Sequence, residues 1–264
     1  MRQPSFMKSP AAPLLLCAVV VGGFSLNTAL AATTGSPLPG QTWASIAKLP
    51  DWSGAWALTR EGHEYATKEA HSVSPTGVVS LMPFTPKAAQ MLLEAQRTDQ
   101  SVNLARCLPA GIPGVMLHTI MLQWLFTPGA VTMLTENGEV RRFHTDGRAH
   151  RKSGDVDGSY EGDTTAHWEG STLVADTVDF PNGTLLKDGY LMATQNTRYQ
   201  ERIFLKDKDH LQIDSVLSDP AIFTKPFTAS RIYQRLADTE LGEPQCSQSQ
   251  RDDGITLDLT PPAE

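Results

Sequence analysis

The chain reads as a mostly β protein whose antiparallel strands close into a calycin-like barrel or a strongly curved sheet. Three observations predict this. Short segments rich in β-branched and aromatic residues follow one another from residue 130 to residue 235. Turn signals separate them: Asn137-Gly138, Asp146-Gly147, Glu169-Gly170, Asn182-Gly183 and Asp207-Lys208-Asp209. Only one stretch has helical periodicity, and no linker, repeat or low-complexity tract divides the chain.

Taken in order, residues 1–31 carry Arg2 and Lys8 but no acid. An apolar run, 11–21, follows, and the segment closes on Ala29-Leu30-Ala31. A basic n-region, a short h-region and a small-residue cleavage site predict a secretory signal peptide. The apolar run is well short of the ~20 residues a membrane span needs. Cys17 leaves with the signal, so the exported chain keeps Cys107 and Cys246, which an oxidising compartment would pair. The location expected is periplasmic or secreted. Residues 32–50 are small, polar and Pro/Gly-punctuated and read as a lead-in; 51–250 form one β-rich domain; 251–264 read as a loose tail.

Thr85 can cap a helix that has Pro86 at its first position, and Ala88, Met91, Leu92 and Ala95 then recur on one face, predicting a helix over 86–97. The predicted strands cover 130–135, 139–144, 165–168, 172–178, 198–205, 211–217 and 230–235. The run 115–126, the most apolar of the exported chain, reads as a core strand or core helix. Strands joined by short turns form a meander, which must close or stack to bury one face.

The formal net charge is −7, and loss of the signal makes it two units more acidic. Nucleic acid is therefore not the expected partner, because phosphate binding needs a Lys/Arg excess. No Gly-x-Ser-x-Gly, P-loop, His-Glu-x-x-His or Gly-x-Gly-x-x-Gly motif occurs, and neither a metal nor an organic cofactor is expected.

Several strings occur together and in a fixed order: Asp51-Trp-Ser-Gly-Ala-Trp56, Cys107-Leu-Pro-Ala-Gly-Ile-Pro113, Arg141-Arg-Phe-His-Thr-Asp-Gly-Arg148, His167-Trp-Glu-Gly-Ser-Thr-Leu-Val-Ala-Asp-Thr177 and Asp219-Pro-Ala-Ile-Phe-Thr-Lys-Pro226. Over roughly residues 50–250 the chain thereby resembles a large family of exported proteobacterial proteins. The resemblance implies an exported, mostly β domain and brings no agreed reaction. Two of the family's His triplets are missing here: Gly158-Ser159-Tyr160 stands where Gly-His-Ser is usual, and no Pro-His-Ser occurs near Tyr190–Met192. Gly54-Ala-Trp56 also resembles the Gly-x-Trp signature at the first strand of lipocalin-type barrels. There an Arg of the last strand packs over the Trp, a role this resemblance assigns to Arg231.

Polar residues concentrate in 139–179. Alternation puts Arg142, His144 and Asp146 on one strand face and Arg141, Phe143 and Thr145 on the other. The candidate catalytic set is His144 and His167 with Asp146 or Asp176, since His titrates near neutrality and a carboxylate can fix its tautomer. The competing reading is a solvated face of turns and ion pairs. In the apolar run, Met116, Met121, Trp124 and Phe126 form a candidate cavity wall with His118 as the orienting group, and Arg142 is a further candidate ligand-binding residue. Two functions follow: a binding module holding a small apolar or aromatic molecule inside the barrel, or a cofactor-independent acid–base enzyme acting on such a molecule.

Overall fold

The computed structural model describes residues 38–65, 82–97, 109, 111–117, 120–152, 158–180, 184–186 and 191–242. Cys107, Cys246 and His118 lie outside the described residues. Helix α1 spans Trp43–Ile46 and α2 spans Pro86–Arg97. The strands are β1 Ala55–Tyr65, β2 Met121–Thr127, β3 Ala130–Thr135, β4 Val140–His144, β5 Asp163–Glu169, β6 Thr172–Val178, β7 Thr184–Leu186, β8 Leu191–Ala193, β9 Arg198–Asp207, β10 His210–Ser218 and β11 Phe227–Leu236. All seven strands expected from residue 130 onward form, and the helix expected over 86–97 is α2.

Nine strands close into a barrel in the order β1-β11-β10-β9-β6-β5-β4-β3-β2, β2 returning to β1. Strands β7 and β8 pair with each other outside it. Every barrel pairing is antiparallel except β4–β5, which meet in parallel at His144 opposite Thr165. A two-residue turn cannot join parallel neighbours, so the chain between β4 and β5 runs through residues 145–162. That connection begins at Asp146-Gly147, which sequence alone reads as a simple turn.

Helix α1 falls within the expected lead-in. Its N-cap Thr42 accepts from the Ser45 amide at 3.1 Å while Ser45 Oγ accepts from the Thr42 amide at 3.0 Å, a capping box that satisfies otherwise unpaired donors. The run 115–126 divides between two elements, a 3-10 turn at Gly114–Leu117 and strand β2.

Period-two burial defines the interior. Leu122 and Trp124 (β2), Val131 and Met133 (β3), Arg141 and Phe143 (β4), Leu173 and Ala175 (β6), Ile203 (β9), Leu211 and Ile213 (β10) and Tyr233 (β11) all point inward. The split expected on β4 is the one observed: Arg141 and Phe143 are buried, while Arg142 is exposed.

One end of the barrel is shut by aromatic packing. Trp56 is fully buried, donates its indole N–H to the Trp52 carbonyl at 3.0 Å, and is covered by a guanidinium 4.3 Å from its ring. That guanidinium belongs to Arg235, not Arg231. In the β1–β11 register Trp56 lies opposite Arg235, and Arg231 sits four residues further along β11, inside the barrel. Arg235 also donates to the carbonyls of Asp51 (2.8 Å), Ser53 and Lys208 (3.1 Å), tying the entry to β1 to the β9–β10 turn. Replacing Arg235 by Ala should lower stability by about 1–2 kcal/mol through lost cation–π and hydrogen-bond contributions. Replacing exposed Arg142 by Ala should stay within about 0.5 kcal/mol; urea unfolding of both variants measures the difference.

Candidate functional site

Polar side chains of β4, β5, β6 and the segment after β4 converge on the outer face of the barrel. Outward-facing His144 lies opposite Thr165, and Thr165 lies opposite Asp176. At the centre stands His150, with Nδ1 3.1 Å from Asp163 and Nε2 2.9 Å from Asp176. Thr165 Oγ1 is also 3.2 Å from His150 Nε2. Arg198 adds a two-point contact to Asp176 at 2.5 and 2.8 Å. The Arg151 backbone N–H donates to Asp163 at 2.9 Å. Burial pushes both carboxyls up, but these donors and charges outweigh it and hold each below the usual carboxylate range.

The expected catalytic set is distributed over this surface rather than gathered at one point. Asp146 is bound by Arg148 at 2.5–2.9 Å, and that hydrogen bonding holds its carboxyl down at about 2. His144 is lowered by burial and by the Arg148 charge, with Asp146 and Asp163 opposing and Arg142 reinforcing. His167 is exposed and lies 3.2 Å from Glu169, whose second oxygen accepts from Arg202 at 2.9 Å. Asp176 is taken by His150 and Arg198. Asp146, Asp163, Glu169 and Asp176 are all held below the usual carboxylate range and engaged, and through His150, Arg151 and Asp163 the cluster ties the 145–151 segment to β5 and β6. Among the described residues no group of three or more His, Cys, Asp or Glu is placed to hold a metal.

The candidate cavity wall divides in the same way. Trp124 is buried and Phe126 half-buried at the shut end, where they join Trp52 and Trp168. Ring centroids are 5.2 Å apart for Trp52–Trp124, 5.4 Å for both Trp52–Phe126 and Trp52–Trp168, and 5.8 Å for Phe126–Trp168. Such spacings suit edge-to-face aromatic packing. Beside this cluster opens a cleft of about 320 Å³ lined by Ile46, Leu49, Pro50, Trp52, Trp124 and Phe126. The buried indole Nε1 atoms of Trp52, Trp124 and Trp168 find no hydrogen-bond partner among the described residues. Met116 is buried in the 3-10 turn, Met121 is half-buried at the start of β2, and Arg142 faces outward, so these three do not line the cleft.

Inside the barrel a polar band lies along β4, β6 and β9. Arg141 and Glu201 pair at 2.5 Å, each side chain about 1% exposed. Arg141 Nη2 also donates to Thr177 at 2.7 Å, and the Arg141 guanidinium lies over the Phe143 ring at 4.3 Å and 5.7 Å from Tyr199. Burial, followed by the Glu201 charge, pushes the Tyr199 hydroxyl up to about 12. Alternation in the sequence set Arg141 on the face opposite Arg142 but left open which face points inward, and it assigned Arg141 no role. The strict alternation Tyr199-x-Glu201-x-Ile203 was the signal that would have placed a carboxylate beside it. A wider trough of about 770 Å³ crosses the outside of the same sheet between Val174, Asp176, Arg198, Gln200, Val216 and Thr228.

Comparison with known proteins adds little. No family model matches the chain, and no curated protein matches it. Solved structures with a similar outline include the wild-type fluorescent protein UnaG, 14% identical over 70% of this chain and 97% of that one, with a TM-score of 0.32. A single-residue mutant of UnaG is 11% identical over 71% and 97%, also at 0.32. A mutant of a fatty acid transporter titled REP1-NXSQ is 13% identical over 70% and 97%, at 0.31. Superpositions at this level carry no argument, and the barrel rests on its own strand pairings.

Near the polar band, burial and then the Glu139 charge push Glu161 up from 4.5 to about 7, with Arg141 opposing. Its protonated form is the one the fold favours. That contribution is complete below about pH 4.5 and is lost as pH rises through about 7. Urea midpoints measured across this window should show Glu161→Gln removing a downward component present in the parent protein.

Proposed function

We propose that the protein is an exported barrel that binds a small apolar or aromatic molecule in the cleft beside the aromatic cluster. The observation that carries this reading is the cleft itself: about 320 Å³, walled by Trp52, Trp124, Phe126, Leu49 and Ile46, beside buried indole N–H groups that lack partners among the described residues. This volume lies at the small end of the ~300–1,000 Å³ typical of ligand pockets, and such sites are mostly apolar with a few polar groups that set orientation. Trp124 and Phe126, singled out from sequence, both line it. It lies at the end of the barrel rather than along its axis, where side chains fill the space.

Export is supported by the basic, apolar and small-residue segments of 1–31 and by the resemblance of the strings in 50–250 to exported proteobacterial proteins. In that setting Cys107 and Cys246 pair. The N-terminus of the exported protein should be Ala32, and its intact mass should be lighter than the reduced chain by the hydrogens lost in one disulfide.

Indole is a suitable probe. It should bind saturably by isothermal titration calorimetry, and Phe126→Ala should weaken binding by about tenfold through lost aromatic contact. His167→Ala, on the outer face, should leave binding unchanged. An absence of saturable heat on titration with indole, or equal loss in both variants, overturns this site.

A further inference from the structure

We infer that the aromatic cleft selects a neutral carbonyl compound, an aromatic or alicyclic ketone, quinone or lactone, whose oxygen accepts from the indole N–H of Trp52 or Trp124. This rests on the cleft being the binding site and adds the chemistry by which that site chooses its ligand.

Both tryptophans line the cleft. They are 2% and 4% exposed, and neither indole Nε1 meets a hydrogen-bond partner among the described residues. Leaving a buried donor unpaired is costly, and buried polar groups in folded proteins are nearly always paired. Trp56 shows the usual outcome close by, its N–H donating to the Trp52 carbonyl at 3.0 Å. The edge-to-face packing of Trp52 and Trp124, at 5.2 Å and 73°, offers their own donors at most a ring face, a weaker acceptor than a carbonyl oxygen.

The lining also decides the charge of the ligand. Apart from the two indoles, its only polar side chains among the described residues are those of Asp51 and Ser53, both exposed. Asp51 Oδ1 accepts from the Ser53 backbone N–H at 2.8 Å, and hydrogen bonding from Ser53 holds the carboxyl below the usual carboxylate range. No Lys, Arg or His is among those lining residues. Arg235, the cation nearby, spends its donors on the backbone carbonyls of Asp51 and Ser53 and lies over Trp56. An anionic ligand would meet a carboxylate and no free cation, so the acceptor it brings is neutral. Both indole N–H groups are shut off from solvent, so the oxygen reaches them between the rings rather than from outside. Phe126, half-buried and held by ring contacts to Trp52 and Trp168, is the side chain that yields.

Calorimetric titration of the full exported chain with indan-1-one, indane and indane-1-carboxylate tests this directly. In an apolar cleft without donors the ketone would bind more weakly than the hydrocarbon, because it gives up its hydrogen bonds to water on entry. With an indole N–H to accept from, indan-1-one should bind about tenfold more tightly than indane, and the carboxylate no more tightly than indane. Trp52→Phe and Trp124→Phe each keep a ring and delete a donor. At least one of them should weaken indan-1-one binding about tenfold while indane stays within about twofold. Because the three ligands are compared on the parent chain, a variant that fails to fold does not remove the test. Ketone binding no tighter than that of indane, tightest binding by the carboxylate, or a ketone preference that survives in both variants overturns the inference and leaves the cleft standing. If indane, indan-1-one and indole all give no saturable heat, the cleft itself is overturned and the inference falls with it.

Discussion

Closure of the sheet through β1 is the constraint on which the rest of the structure depends. β1 pairs with β11 at both of its ends and with β2 through Ala55, Trp56 and Ala57, so the sheet closes on itself. The pairing with β11 is interrupted between Leu58 and His63, where the register shifts. Such an irregularity raises local twist and helps a sheet to curve. Once the ring is closed, every second residue must fit an enclosed volume, and the composition of those residues decides what the protein can hold.

That volume is built in layers. At the α1 end, Trp52, Trp124, Trp168 and Phe126 pack edge to face, locked by Trp56 and Arg235. The middle is aliphatic, from Leu122, Leu173, Ile203 and Ile213. Beyond it comes the band of Arg141, Thr177, Tyr199 and Glu201. A charged pair is costly to bury there.

Much of this was legible in the chain. Strand positions from 130 onward followed from β-branched runs between Gly-containing turns, and the opposite facing of Arg141 and Arg142 followed from alternation alone. Less legible was β2, because an apolar run beginning Val115-Met116-Leu117 fits a helix as well as a strand, and its two halves adopt different structures. The His-rich segment illustrates the other limit. His144 and His167 stand out by type, yet His150 holds the centre, since it is the one placed between Asp163 and Asp176 when the 145–162 connection returns to β5.

What the sequence determined by itself was local: propensity, alternation, turns and one helix, all set by neighbours within a few residues. Tertiary structure alone decided register and sidedness. Only the β1–β11 register chooses Arg235 over Arg231 as the cation above Trp56. Only the tertiary arrangement carries His150 onto Asp163 and Asp176 outside the barrel while drawing Arg141 onto Glu201 within it. Both outcomes turn on contacts between residues far apart in the chain, and a shift of one residue in strand pairing would exchange inside for outside.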